Sequence, residues 1–513
     1  MRTPQPSPPP PAAPPHDVII VGAGMAGVSA ASTFRRHGLS SFALLEASSR
    51  LGGRVHTASF GAPYVRRLRV ERGASFLSGG GRASHPLERA ARRLSLRTAR
   101  IAGGATNLSG WAAYNASGSR VDPHGRVAAR AARVVACVRW LSYESEADMS
   151  IAAAAARCAA GRAAPPHEAA LEAAMLWQSF AAESGLPASR QSLWGSVPDP
   201  TFSWFGPDEW MVIDPRGFEA LLLEVASSRG SSHAERPPPL FANVHLHTHV
   251  NRISYSCSGV VVHSSDGRRY AAQYALVTLP IGVLQAAPAL FAPRLPDAQA
   301  AALRKFTMSN YTKIYAQWRE VWWDDELDKW LVASAADEVG PLTACRNLNH
   351  ASLLPGSRTL LWDLAEPHSS EWEAMDDRRA QQALVAQLRR QFPSRRIPPP
   401  AAFLMTRYGR SPLSRGAYSA WSLGMTEEDH ATMAAPLRAA SHCRPRVFLS
   451  GEGMCASLSG YAHAALLAGR RDAMSVLYEV GRVRYRHKSM CDAKVWLPKD
   501  GREALRDGGS LAS

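Results

Sequence analysis

The hexapeptide Gly22-Ala23-Gly24-Met25-Ala26-Gly27 constrains this chain more than any other stretch, because it sits between an apolar run and a helix-forming segment. Val18-Ile19-Ile20-Val21 has the form of a short strand buried on both faces. Met25 to His37 reads as a helix closed by Gly38, and Phe42-Ala43-Leu44-Leu45 as a second strand running into Glu46. Gly22 permits a tight turn, Gly24 lets the backbone approach a pyrophosphate, and Gly27 lets helix pack on strand. Met25 and Ala26 then fall in the first helical turn, whose free N–H groups attract phosphate. Glu46 stands about 20 residues beyond the glycines, where a carboxylate accepts hydrogen bonds from ribose hydroxyls. A βαβ unit of this kind opens a doubly wound α/β fold that binds a dinucleotide.

Length and pattern suggest that this unit is one part of a larger arrangement. At 513 residues the chain exceeds one simple core. Residues 1–15 are proline-rich and read as a disordered arm, since proline removes backbone donors and fixes φ. The nucleotide-binding, Rossmann-like domain is expected to be discontinuous, formed from 16–84, 241–295 and 426–480. An interleaved α+β substrate domain takes 85–240, which reads as mostly helical with helices near 125–142 and 166–183, and 296–425, which supplies sheet. A tail covers 481–513. Strand signals at Val244 to Leu246, Gly259 to His263 and Tyr274 to Leu279 flank an Asp266-Gly267 turn. Residues 296–306 read as helix, Lys313 to Trp318 as an alternating strand, and Val447-Phe448-Leu449 as a last strand before a helix from Tyr461 to Tyr478.

The charge of +16 arises from 59 Lys and Arg against 43 Asp and Glu. The arginines are dispersed, without a block of five or six basic residues, which argues against specific nucleic-acid binding. The seven cysteines, Cys137, Cys158, Cys257, Cys345, Cys443, Cys455 and Cys491, are odd in number and lack a C-x-x-C pair. That pattern points to neither a disulfide framework nor a metal site, and fits a reducing, cytoplasmic setting. No run of 18 apolar residues predicts a membrane span.

Beyond Glu46 the chain continues Ala47-Ser48-Ser49-Arg50-Leu51-Gly52-Gly53-Arg54, and here it resembles the flavin-containing amine oxidase superfamily within the glutathione-reductase-like fold, most closely the polyamine oxidases. The resemblance implies FAD, with Arg54 near its pyrophosphate or flavin and Gly73, Ala74 and Ser75 beside the isoalloxazine. It extends to Val250 at the adenine, to Gly451 and Glu452 at the ribityl chain, and to a helix at Tyr461 and Ala462 aimed at the flavin pyrimidine edge. Lys313, within Asn310-Tyr311-Thr312-Lys313-Ile314-Tyr315, matches a lysine joined to flavin N5 through water. Tyr418 and Tyr461 match two rings that flank the substrate amine. Ala417 stands where a relative's cysteine tethers the flavin, so the resemblance implies non-covalent FAD. The implied chemistry is hydride transfer from an amine carbon to flavin N5, with imine hydrolysis and reoxidation by O2 to hydrogen peroxide.

The pattern also fails in places. Polyamine oxidases often carry Glu or His where this chain has Ser78, which weighs against a polyamine substrate. Glu183 reads as part of a solvated helical face. Two other readings stand beside amine oxidation: another flavin oxidase or desaturase of the superfamily, and a non-catalytic flavin-binding scaffold.

Overall fold

A computed structural model of the chain describes residues 16–82, 84–101, 111–122, 125–161, 164–197, 205–206, 208–227, 240–334, 339–485 and 489–492. The proline-rich arm and most of the tail expected over 481–513 lie outside the described residues.

Strands His16–Val21 and Phe42–Leu45 pair in parallel at the centre of an eight-stranded sheet. Their apolar side chains leave no exposed face: Val18, Ile19 and Ile20 are fully buried, each contributing about 1.5–3 kcal/mol of transfer free energy. Val244–His245 extends the sheet beyond Phe42–Leu45, and Arg269–Val277 lies on the other side of His16–Val21. Val260–Ser264 and Val250–Tyr255 continue it antiparallel, with Gly267 at φ +85° in the Asp266-Gly267 turn. Phe291–Ala292 closes that edge, while Val447–Leu449 pairs in parallel with Arg269–Val277. Val21 lies level with Leu45 and Val277, and Val277 with Leu449, so four parallel strands end at one rim. Ligands of doubly wound sheets bind beyond such a rim.

Helix Met25–Arg36 packs on the glycine turn at Gly27 and on helix Ala462–Glu479 at Gly469. A Cβ on Gly27 would overlap the Gly22 carbonyl, and one on Gly469 the Ala26 carbonyl. The close approach brings both helix starts to the rim where the parallel strands end.

A second sheet of seven strands runs in the order Ala402–Met405, Thr312–Gln317, Thr359–Leu364, Ala344–Asn347, Lys329–Val332, Ala112–Tyr114, Arg120–Val121. Thr312–Gln317 is buried at all six residues, on both faces, rather than half-solvated as its alternation suggests. Helices Arg126–Glu144, Ile151–Ala159 and Pro166–Ser184 occupy the expected helical region. That region also holds four short strands, Thr98–Arg100, Ala112–Tyr114, Arg120–Val121 and Asp208–Val212. Each has two to five residues; Arg120–Val121 pairs with nearby Ala112–Tyr114, and the other three join strands far away in sequence, as Asp208–Val212 does with Phe76–Gly80. Alternation over so few residues gives no local signal.

The cysteine reading is corrected by the fold. Cys137 pairs with Cys158, Cys257 with Cys443, and Cys455 with Cys491, leaving Cys345 as the one free, buried cysteine among the described residues. The partners are 21, 186 and 36 residues apart, distances that only tertiary folding closes. With these disulfides, the cysteines no longer argue for a reducing compartment. No helix among the described residues is long and apolar enough to cross a membrane.

Candidate active site

A cavity of about 780 Å³ opens between the rim of the first sheet and one face of the second. Gly22, Gly24, Met25, Ala26, Glu46, Arg54, Gly73, Ala74, Ser75, Val250, Gly451, Glu452 and Ala462 all line it, as do Lys313, Tyr418 and Tyr461. Of the residues singled out from the sequence, Gly27 alone does not line it, since it is used in the contact with Gly22.

At one end, Gly22 adopts φ +100°, and a side chain there would collide with Thr278. Glu46 is fixed by its own strand end: its Oε2 accepts from the Ala23 amide at 2.8 Å, and its Oε1 from the Ser48 amide and hydroxyl at 2.8 and 2.7 Å. A carboxylate has about four lone-pair sites, so with three donors placed about one site remains for a ribose hydroxyl. Helices Met25–Arg36 and Ala462–Glu479 both start without a side-chain cap. Their first N–H groups and positive dipole ends thus await an anion at the cavity. Glycine turn, carboxylate and two uncapped helix starts fit the pyrophosphate, ribose and flavin edge of FAD.

Midway, Arg54 Nη1 donates to the Ala417 carbonyl at 3.0 Å and to Glu452 Oε1 at 2.8 Å. Glu452 also accepts from the Ser419 amide and hydroxyl and from the Gly460 amide at 2.9 Å. Burial pushes its carboxyl upward, but Arg54, Ser419 and Gly460 outweigh that and hold it below the ordinary value. Glu452 therefore clamps three chain segments together, a role its expected ribityl contact did not include.

At the flavin end of the second sheet, Lys313 is only 5% exposed. Its Nζ donates to the Gly73 carbonyl at 2.7 Å, Ser75 Oγ at 2.8 Å and the Glu71 carbonyl at 3.4 Å. Desolvation lowers its pKa and the nearby Arg346 charge adds to this, against the pull of Asp363 and Glu71. Asp363 lies directly across the strand pair from Lys313.

The two tyrosines converge on a residue the sequence misplaced. Glu183 ends helix Pro166–Ser184 where Gly185 turns left-handed at φ +67°. It lines the cavity instead of facing solvent: Tyr461 donates to its Oε1 and Tyr418 to its backbone carbonyl, each at 2.7 Å. Burial raises the Glu183 carboxyl, with the Tyr461 hydrogen bond opposing, and burial also pushes both phenols well above their usual range. The Tyr311 ring lies 5.8 Å from that of Tyr418. Sequence reasoning also missed Glu209, whose Oε1 accepts from Ser78 Oγ at 3.1 Å and which lines the cavity beside it. Arg346 and Asp363 went unnoticed too, because a charged residue in a short strand carries no motif.

A nucleotide-binding sheet whose rim opens onto a tyrosine- and lysine-lined cavity defines a flavoprotein oxidoreductase. The chain belongs to the flavin-containing amine oxidoreductases, whose family model matches residues 25–477. It is an FAD-dependent amine oxidase. Ala417, which lines the cavity, has no nucleophile to tether a flavin. Similar proteins include polyamine oxidase 6 of Oryza sativa subsp. japonica, 27% identical over 93% of this chain and 92% of its own. Polyamine oxidase 1 of Zea mays is 27% identical over 88% of each chain. In structure, a putrescine oxidase bound to putrescine matches with a TM-score of 0.67 at 18% identity, covering 90% of this chain and 99% of its own, a likeness of fold.

Proposed function

We propose that this enzyme oxidises an aliphatic amine of the polyamine type, removing a hydride from the carbon next to nitrogen. The observation that carries this reading is Lys313 bound to the Gly73–Ser75 element within the same cavity as the Tyr418 and Tyr461 pair. When bound, FAD supplies the two-electron acceptor for the hydride.

Within that scheme the residues divide the work. Tyr418 and Tyr461 present electron-rich faces to the amine and align its C–H bond. Lys313 holds a water near the flavin through its lowered basicity. Glu46, Val250 and the uncapped helix starts bind the dinucleotide, and Arg54 with Glu452 keeps the flavin end of the cavity in register. The neutral amine loses two electrons and a proton as hydride, giving an iminium that water splits to an aldehyde, an amine (ammonia where the oxidised nitrogen is primary) and a proton. O2 takes up the two electrons and two protons as hydrogen peroxide. The names of the relatives support a polyamine-type substrate, and Glu183 and Glu209 offer carboxylates where Ser78 does not.

Anaerobic addition of spermine, N-acetylspermine and 1,4-diaminobutane to the yellow holoenzyme tests the reading. At least one is expected to bleach the flavin and, in air, to yield peroxide. A flavin unchanged by every amine, monoamines and amino acids included, would overturn it.

A further inference from the structure

The wall formed by the second sheet holds a charge that no carboxylate among the described residues pairs with. Arg346, in strand Ala344–Asn347, is only 6% exposed and lines the cavity. Its guanidinium lies over the Phe76 ring, 5.3 Å from the centroid, one residue from the Ser75 that binds Lys313. Among the described residues no carboxylate pairs with it, and its Nε is buried without a hydrogen-bond partner. Asp363 lines the same wall, and its Oδ1 is likewise buried and unpartnered, yet the two do not form an ion pair. A buried guanidinium left unpaired costs several kcal/mol, so such a group is retained where a ligand completes it. Guanidinium is the side chain best shaped to receive a carboxylate through two parallel hydrogen bonds.

The rest of the lining agrees. Beside the carboxylates of Glu183, Glu209 and Asp363, the cavity wall also carries the cations Lys313 and Arg346, so it offers partners to a cationic and to an anionic group. Phe76 packs against the guanidinium from one side.

We propose that Arg346 is a substrate-specificity residue that receives a carboxylate, so that the preferred substrate is an amine bearing an anionic group along its chain. This rests on the amine-oxidase reading but not on its polyamine-type substrate: one end of the preferred substrate is the amine that is oxidised, and its second charged end is negative.

Two measurements on the holoenzyme separate the two ideas. In the first, hexanoate, which has no amine, is titrated against the visible spectrum of the bound flavin. Saturable binding is expected, weakened at least tenfold in Arg346→Met and partly restored in Arg346→Lys. In the second, kcat/KM is compared for 4-aminobutyrate and 6-aminohexanoate against 1,4-diaminobutane and 1,6-diaminohexane. The amino acids are expected to be favoured at least tenfold, and Arg346→Met to lower that ratio tenfold or more. Should Arg346→Met fail to retain FAD, Arg346→Gln against Arg346→Lys gives the same comparison. Hexanoate binding through Arg346 with no amine oxidised would leave the anion site standing and remove the amine reading. Amine oxidation with hexanoate binding absent, or unchanged within threefold by loss of the guanidinium, would overturn the anion site alone.

Discussion

Tyr461 donates its hydroxyl to Glu183 Oε1 at 2.7 Å, tying the start of one helix to the end of another 278 residues away. The Glu183 carbonyl takes the Tyr418 hydroxyl as well, so one residue sets the spacing of both rings. That carbonyl is among the last four of its helix and has no helical donor. Tyr418 satisfies it.

Glu183→Ala is therefore expected to leave FAD bound, because none of the dinucleotide contacts changes. It removes the carboxylate that accepts from the Tyr461 hydroxyl, at a cost of about 1 kcal/mol, and loosens the ring. Amine kcat/KM should fall roughly tenfold or more, while Glu183→Gln, which keeps the acceptor, stays close to wild type. Steady-state kinetics with the best amine checks this; equal losses in both variants would show that charge, not anchoring, matters.

Cofactor retention depends on Glu46. Placing arginine there removes the acceptor for the Ala23 and Ser48 donors and sets a cation where ribose hydroxyls need a base. Purified Glu46→Arg should be colourless. Wild type is expected to release intact FAD into the supernatant on acid precipitation, since Ala417 forms no thioether. Flavin remaining with the pellet would contradict non-covalent binding.

Lys313→Met tests the lysine at the flavin. The variant should keep FAD, because the Lys313 Nζ donates to Glu71, Gly73 and Ser75 and not to Glu46 or the glycine turn. Flavin reduction by amine, reoxidation by oxygen, or both should slow by on the order of 10²-fold, the usual effect of removing a placed polar group. Single-turnover kinetics separates the two. Half-reactions within about threefold of wild type, under ~0.7 kcal/mol, would make Lys313 a structural residue.

His430 predicts how stability responds to acid. It is buried against Phe306 and Trp421, and desolvation lowers its pKa from 6.5 to about 4, against the pull of Glu452 and Asp429. Between those values the unfolded chain binds a proton that the folded one does not. Stability is thus full above pH 6.5 and falls as the pH drops toward 4. The loss from this group is about 2 kcal/mol by pH 5, at 1.36 kcal/mol per unit. Urea unfolding at pH 7 and pH 5 measures it, and His430→Phe should shrink the difference. His56, also lowered to about 4, adds in the same direction, so an unchanged difference in His430→Phe would assign the effect elsewhere.

The βαβ start was legible in the sequence because its requirements are local: an apolar run, a glycine turn, a helix and a carboxylate at a fixed offset. Strand His16–Val21, helix Met25–Arg36 and strand Phe42–Leu45 fall within a residue or two of expectation. Helices Asp297–Lys305 and Ala462–Glu479 do likewise. Lys313, Tyr418 and Tyr461 could be singled out because each sits in a short motif, and all three line the cavity. Tertiary structure decided what depends on distant partners. The three disulfides, the strands within 98–212, the turn of Glu183 into the cavity and the unpaired Arg346 each arise from residues tens to hundreds of positions apart. A chain's own periodicity records which face of an element is apolar, but not which other element will cover it. A charged side chain in a four-residue strand therefore reads as solvated until the opposing sheet, and the cavity between, is in place.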